Sequence, residues 1–129
     1  MTRPKAIAVW HESVEKNDLA AFEALITDNA IFESPAIHAP QHGKAMVSMY
    51  LRGALHVLNN GSFRYVDEWL APRSAVLEFE AKVDGLHVNG VDIIRWNDDD
   101  RVTHFKVMVR PFKGLTALMA AMKALLAAQ

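Results

Sequence analysis

The chain contains no cysteine, and this absence excludes disulfide bonds, thiolate nucleophiles and cysteine-ligated zinc. It also lacks an excess of charge of either sign, because 14 Lys and Arg residues stand against 15 Asp and Glu residues, for a formal net charge of -1. No basic cluster is interleaved with aromatic residues. We therefore expect no nucleic-acid partner.

Long apolar runs are missing as well. The most hydrophobic segment, LTALMAAMKALLAAQ, is interrupted by Lys123 and is shorter than the roughly 20 residues that a membrane span requires. It is better interpreted as a packed C-terminal helix. The first residues carry charges throughout and predict a helix, not a signal peptide. These features predict a cytoplasmic protein without a membrane partner.

What is present is typical of one globular domain over residues 1–129, since 51% of the residues are hydrophobic and 22% are charged. Apolar residues at helical spacing predict a first helix after Pro4 and a second one capped by Asp18. Asp28 and Asn29 are predicted to precede a short strand that Pro35 ends, and the following AIHAPQHG is predicted to be a loop. A third helix is predicted from near Lys44 to the stop signal at Asn59, Asn60 and Gly61.

The second half of the chain changes to a period of two. FRYVDEWL, AVLEFEAKV, HVNGVDIIRW and VTHFKVMVR are separated by turn residues and predict an antiparallel meander. Three helices, a curved sheet and a C-terminal helix together predict an α+β fold around one core.

One residue in this meander is out of place. Asp92 lies in a strand built otherwise of large apolar residues, and its alternation partners are Gly90, Ile94 and Trp96. A bare carboxylate in an apolar setting costs several kcal/mol or more unless it is paired, hydrogen-bonded or protonated. Two interpretations stay open: an acid/base group with a raised pKa, or a structural acid that satisfies the backbone or a neighbouring aromatic side chain.

The order of these segments resembles the nuclear transport factor 2-like superfamily, which includes ketosteroid isomerases, SnoaL-like polyketide cyclases and limonene epoxide hydrolases. The resemblance spans almost the whole chain. It rests on the helix pair broken at NDL, on the strand DNAIFESP before a glycine and the third helix, and on the hairpin VDIIRWNDDDRVTHFKV. It implies a cone-shaped curved sheet, closed by helices around a ligand cavity, and a homodimer through the outer sheet face.

The resemblance also implies roles for single residues. Asp92 matches the ketosteroid isomerase aspartic acid that donates a hydrogen bond to a developing oxyanion. Where the family has its general-base aspartate this chain has Ser34, and where it has a catalytic tyrosine in the first helix this chain has Trp10. Steroid-type isomerisation is therefore disfavoured. A SnoaL-like cyclase, in which one aspartate does the acid/base work, fits better.

The other candidate residues have plain structural alternatives. His38 and His42 lie four apart in the loop, where pocket lining, a base or a solvated loop position are all compatible, and a metal site is the weakest interpretation. Tyr50 and Trp69, with Trp10, are candidates to line a hydrophobic cavity, although such residues are more often core.

The sequence thus predicts a protein that binds a small hydrophobic molecule, with Asp92 as the acid/base group of an isomerase, cyclase or hydrolase. The predicted substrate-binding residues are Trp10, Ser34, His38, Tyr50 and Trp69. No metal or organic cofactor is expected, since no phosphate-binding glycine loop is present. The alternative is a non-catalytic dimeric binding or interaction module with the same fold and a closed core.

Overall fold

A computed structural model describes residues 2–127 of the chain. The helices are α1 (Lys5–Lys16), α2 (Leu19–Leu25), α3 (Lys44–Leu58) and α4 (Phe112–Ala127). The strands are β1 (Ile26–Glu33), β2 (Gln41–His42), β3 (Arg64–Leu70), β4 (Ser74–Val83), β5 (Leu86–Trp96) and β6 (Val102–Arg110). The predicted α+β fold, with three helices in the N-terminal half and one at the C-terminal end, is confirmed.

The strands form one curled sheet in the order β2-β1-β6-β5-β4-β3. Strands β3 to β6 are the predicted antiparallel meander. The pairing of β1 differs from a purely antiparallel sheet, because β1 lies parallel to β6, with Phe32 beside Phe105. A parallel neighbour needs a long crossover, and here the crossover is the whole of α3 and the meander.

Strand β1 also corrects two local predictions. It begins at Ile26 and continues through Asp28 and Asn29, which the sequence predicts to precede the strand. The loop after Pro35 contains the short β2, which pairs antiparallel with β1. Asp28 and Asn29 fall in the stretch between Ile26 and Ile31 where the register to β6 shifts, so the strand passes through them as an irregularity, and their side chains remain exposed.

The core lies between the helices and the inner sheet face. In β4 every second residue is buried, as the strict alternation predicts, and β5 buries Val88, Gly90, Asp92, Ile94 and Trp96 in the same way. The helices α1, α2 and α3 cover one part of this face. Helix α4 covers the remainder through Leu118 and its neighbours.

Helix α2 is short and depends on its N-cap. The Asp18 carboxylate accepts a hydrogen bond from the Ala21 backbone nitrogen at 3.1 Å, as the sequence predicts. Replacing Asp18 with alanine should lower the free energy of unfolding by about 1 kcal/mol, because this N–H loses its partner. Urea unfolding measures the change. Asp18→Asn is the matched control, since asparagine caps equally well; an equal loss in both variants would contradict a capping role.

Candidate functional site

Asp92 lies at the centre of β5 and points into the interior. Its strand neighbours on the inner face are Leu77 of β4 and Val107 of β6, and only 6% of its surface is exposed. Neither neighbour offers a charge to the carboxylate. The buried acid that the sequence indicates is therefore present in the folded chain, and its polar contacts come from elsewhere.

Those contacts form a chain of two hydrogen bonds. The Tyr65 hydroxyl donates to Asp92 Oδ2 at 2.7 Å, and Trp10 Nε1 donates to the Tyr65 hydroxyl oxygen at 2.8 Å. We call these three residues the Trp10–Tyr65–Asp92 chain. The other carboxylate oxygen, Oδ1, has no hydrogen-bond partner among the described residues.

The surroundings change the acidity of both oxygen acids. Burial raises the pKa of Asp92 to about 7, although the hydrogen bond from Tyr65 acts in the opposite direction. Burial, followed by the charge of Asp92, raises the pKa of Tyr65 well above its ordinary value. Near neutral pH the Asp92 carboxyl therefore exists in both protonation states while Tyr65 remains neutral, which is the property of a general acid/base group.

A cavity opens beside Asp92. It contains about 600 Å³ of unfilled space when its open mouth is included, and its enclosed part is narrow. Asp92 and Ser34 are its polar lining residues, and the others are apolar. These others are Trp10, Phe32, Pro35, Ala36, Leu51, Ala54, Leu55, Leu58, Phe63, Phe79, Phe105, Val107, Leu118, Met119 and Met122.

The structure brings some of the predicted site residues together and separates others. Trp10, Ser34 and Asp92 line the same cavity. Tyr50 does not line it, because its half-buried ring stacks on Phe32 with ring centroids 5.9 Å apart. His38 lies in the exposed loop before β2, away from the cavity lining. Within residues 2–127, neither it nor another histidine joins a group of three side chains able to hold a metal ion.

The largest difference concerns Trp69 and Tyr65. The structure does not place Trp69 in the cavity; 54% of its surface is exposed on the opposite face of β3. A bulge between Tyr65 and Asp67 shifts the register, so that Tyr65 and Glu68 both point inward. Regular alternation from Tyr65 would have brought Trp69 inward as well. Tyr65 is thus a site residue that the sequence does not reveal, and the available signal was its position two residues after Phe63 in a strand of mixed polarity.

A second polar cluster fixes the position of α1 on β3. Glu68 accepts hydrogen bonds from Arg3 Nε at 3.0 Å and pairs with His11 Nε2 at 2.9 Å. Partial burial alone would raise the pKa of Glu68, but the bonds from His11 and Arg3 outweigh it and lower that pKa. The His11 ring lies edge-on to the Tyr65 ring, with centroids 5.0 Å apart. This cluster holds together the two elements that carry Trp10 and Tyr65.

The fold and the cavity define an α+β protein with one buried carboxyl in an apolar pocket. A family model for the SnoaL-like domain matches residues 7–105. The chain belongs to this SnoaL-like family, within the nuclear transport factor 2-like superfamily. The match confirms the family that the order of the segments indicates.

Solved structures agree with the family. A steroid delta-isomerase from Pseudomonas aeruginosa is 39% identical, with a TM-score of 0.90 over 95% of this chain and 90% of that one. An uncharacterised bacterial protein with a cystatin-like fold, from Silicibacter pomeroyi, is 32% identical, with a TM-score of 0.85 over 93% and 84% of the two chains.

More distant likenesses concern the fold alone. A protein of unknown function from Mesorhizobium loti, described as similar to nuclear transport factor 2, is 19% identical, with a TM-score of 0.72 over 83% of this chain and 89% of that one. No protein of curated function matches the sequence. Among residues 2–127, no helix is both long enough and apolar enough to cross a membrane.

Proposed function

We propose that the protein binds a small, uncharged hydrophobic molecule in the cavity and transfers a proton on it through Asp92. The observation that carries this proposal is the position of the Asp92 carboxyl. It is 6% exposed, its pKa is about 7, and it is the one ionisable group among the residues that line an apolar cavity. A polar ligand with several charges would leave those charges without partners in such a pocket.

A single carboxyl group is sufficient for an isomerisation. The carboxylate takes a proton from one carbon of the ligand, becomes a carboxylic acid, and returns the proton to a second carbon. Ser34 stands before Pro35 where the resemblance places a general-base aspartate, so both transfers fall to Asp92. The name of the steroid delta-isomerase from Pseudomonas aeruginosa supports an isomerase. A cyclase would share the first transfer, but the deprotonated carbon would then attack a carbonyl carbon of the ligand, and Asp92 would return the proton to the oxygen of that carbonyl as the new carbon–carbon bond forms. A hydrolase would further require a water molecule positioned beside Asp92.

The test is hydrogen exchange on an enolisable ketone. 2-Tetralone in deuterated buffer serves as the probe, and its α-hydrogen exchange is followed by NMR. We expect the protein to accelerate exchange, with a rate that rises with pH and becomes level above about 7, because the carboxylate is the base. Asp92→Asn should lower the rate by roughly 100-fold or more.

The control is Asp99→Asn, an acid at the exposed tip of the β5–β6 hairpin, which should leave the rate unchanged. If 2-tetralone binds without accelerated exchange, the catalytic part of the proposal is wrong. If neither exchange nor binding occurs at millimolar 2-tetralone, the ligand class is wrong as well.

The non-catalytic alternative draws support from the outer sheet face. Trp69 and Met108 are 54% and 51% exposed there, large apolar side chains that a second copy of the chain could cover. We propose a homodimer through this face in either case. Light scattering at micromolar concentration measures the mass, and a monomer would contradict the dimer. A dimer that binds no ketone would favour the interaction module.

A further inference from the structure

Trp10 sits at the far end of the hydrogen-bond chain and contacts Asp92 only through Tyr65. A tyrosine hydroxyl has one proton and two lone pairs, whereas an indole N–H can only donate. We propose that Trp10 is a positioning residue that fixes the direction of the Trp10–Tyr65–Asp92 chain, so that Asp92 exchanges its proton with the ligand through Oδ1. This inference rests on the proposed function for its ligand, but the direction of the chain is a property of the free protein.

The direction follows from the proton count. Trp10 occupies the Tyr65 oxygen as a donor at 2.8 Å, and the only other partner of that oxygen among residues 2–127 is Asp92 Oδ2 at 2.7 Å. The Tyr65 proton therefore lies on the bond to Oδ2. If Oδ2 carried a proton and donated it to Tyr65, the Tyr65 proton would lose its partner in an apolar interior, which is costly. Tyr65 thus donates to Oδ2 in both protonation states of Asp92.

The proton that titrates is consequently on Oδ1. When Asp92 is ionised, Oδ1 accepts a proton from the ligand, and when Asp92 is protonated, Oδ1 returns it. Tyr65 and Trp10 keep their own protons throughout. Asp92 lines the cavity, and its Oδ1 has no partner in the part of the chain that the structure describes. The oxygen that the chain leaves free is the one available to a ligand.

Trp10 is held in one orientation. It is 1% exposed, and its ring packs between Phe22 and Phe105 with ring centroids 5.2 and 4.8 Å away. The Glu68 cluster with Arg3 and His11 ties its helix to the strand that carries Tyr65. A rigid donor at this position holds the Tyr65 hydroxyl without the freedom to turn, which is how a positioning residue acts.

Few charged groups surround the Trp10–Tyr65–Asp92 chain. The inner-face neighbours of Asp92 on β4 and β6, Leu77 and Val107, are apolar, and the residues of α3 and α4 that line the cavity carry no charge. On β3 Tyr65 is the titratable contact, and His11 of α1 and Glu68 lie beyond its ring. The protonation of Asp92 is therefore sensitive to the strength of the Tyr65 hydrogen bond.

The test is the carboxyl titration of Asp92, followed by NMR of ¹³C-labelled aspartate in the free protein. In Trp10→Phe the Tyr65 hydroxyl loses the donor that polarises it, so its bond to the Asp92 carboxylate weakens. We expect the pKa of Asp92 to rise by about half a pH unit or more. Trp96→Phe, at a buried tryptophan of the same core without a side-chain hydrogen bond in the described residues, should leave it unchanged.

A double-mutant comparison separates positioning from packing. Tyr65→Phe alone should raise the pKa of Asp92, and adding Trp10→Phe to it should produce no further rise, because Trp10 acts only through Tyr65. The inference is overturned if Trp10→Phe leaves the pKa unchanged, or if it shifts the pKa equally in the Tyr65→Phe background. Should Trp10→Phe fail to fold, 3-benzothienylalanine at position 10 removes the N–H within a ring of the same shape and carries the same expectations.

The proposed function and this inference fail separately. In Trp10→Phe the 2-tetralone exchange rate should reach its plateau at a higher pH than in the parent protein. This shift should equal the rise in the pKa of Asp92 measured by NMR. If Trp10→Phe shifts the pKa of Asp92 but the parent protein does not accelerate 2-tetralone exchange, the direction of the Trp10–Tyr65–Asp92 chain is supported and the proposed function is wrong. If exchange is present but neither the titration nor the pH profile moves, the inference about Trp10 is wrong.

Discussion

At pH 8 the Asp92→Asn variant is expected to be more stable than the parent protein, by about 2 to 4 kcal/mol in the free energy of unfolding. Burial raises the pKa of Asp92 from 3.8 to about 7 in the folded state. Below pH 3.8 both states hold the proton. Between 3.8 and 7 the unfolded chain ionises first, so stability falls as the pH rises, and above 7 the loss of about 4 kcal/mol is complete.

Asparagine escapes this loss because it cannot ionise, and its side-chain oxygen can still accept the hydrogen bond from Tyr65. The gain is smaller than the full loss, since the new NH₂ group has no partner in the cavity. Urea unfolding at pH 8 and at pH 4 measures both ends of the range. Near pH 4 the advantage should vanish. Asp99→Asn, at the exposed hairpin tip, is the matched control, and a gain in that variant too would show that general charge repulsion is responsible.

Gly90→Ala should be among the most destabilising single substitutions, with a loss of about 3 kcal/mol. A Cβ atom at Gly90 would stand 2.5 Å from Cζ of Phe79 and 2.6 Å from the Met108 carbonyl oxygen. Relief of both contacts requires that the Phe79 ring move and that the backbone of β5 and β6 separate locally. Because Phe79 lines the cavity, we expect weaker binding of 2-tetralone together with the lower unfolding midpoint.

A second substitution tests the cause of this loss. A leucine side chain at position 79 is shorter than phenylalanine, so Phe79→Leu should restore part of the stability in the Gly90→Ala background. By itself Phe79→Leu should lower stability. Strictly additive losses in the double variant would contradict the proposed clash with the ring. Thermal unfolding at one pH gives the unfolding midpoints of the parent protein, Gly90→Ala, Phe79→Leu and the double variant, and these midpoints are compared.

The regular parts of the fold can be predicted because their side chains follow one period. In β4 and β5 every second residue is buried, and the large apolar residues around Asp92 in the sequence mark it as part of the interior. The cap at Asp18 and the stop after Leu58 likewise mark the helix ends. These are local signals, and local signals are what a sequence displays directly.

The unpredicted parts depend on contacts between distant segments or on a broken period. Nothing in DNAIFESP indicates that it lies parallel to a strand some seventy residues later. The bulge after Tyr65 reverses the faces of the residues that follow it, so the prediction that Trp69 lies in the pocket is wrong. The hydrogen bond that links Tyr65 with Asp92 joins residues 27 positions apart, a relation that no short motif encodes.

The parallel pair of β1 and β6 has a consequence for the order of folding. The Arg101 side chain donates to the Ile26 carbonyl oxygen at 2.9 Å across a separation of 75 residues, next to the point where the two strands meet. Closing so long a loop costs more entropy than forming the hairpins of the meander. We expect the meander to form first and β1 to dock onto it afterwards, a slow step typical of non-local strand pairing. Phe32, which β1 places beside Phe105, would then complete the cavity late, after Tyr65 and Asp92 have already met.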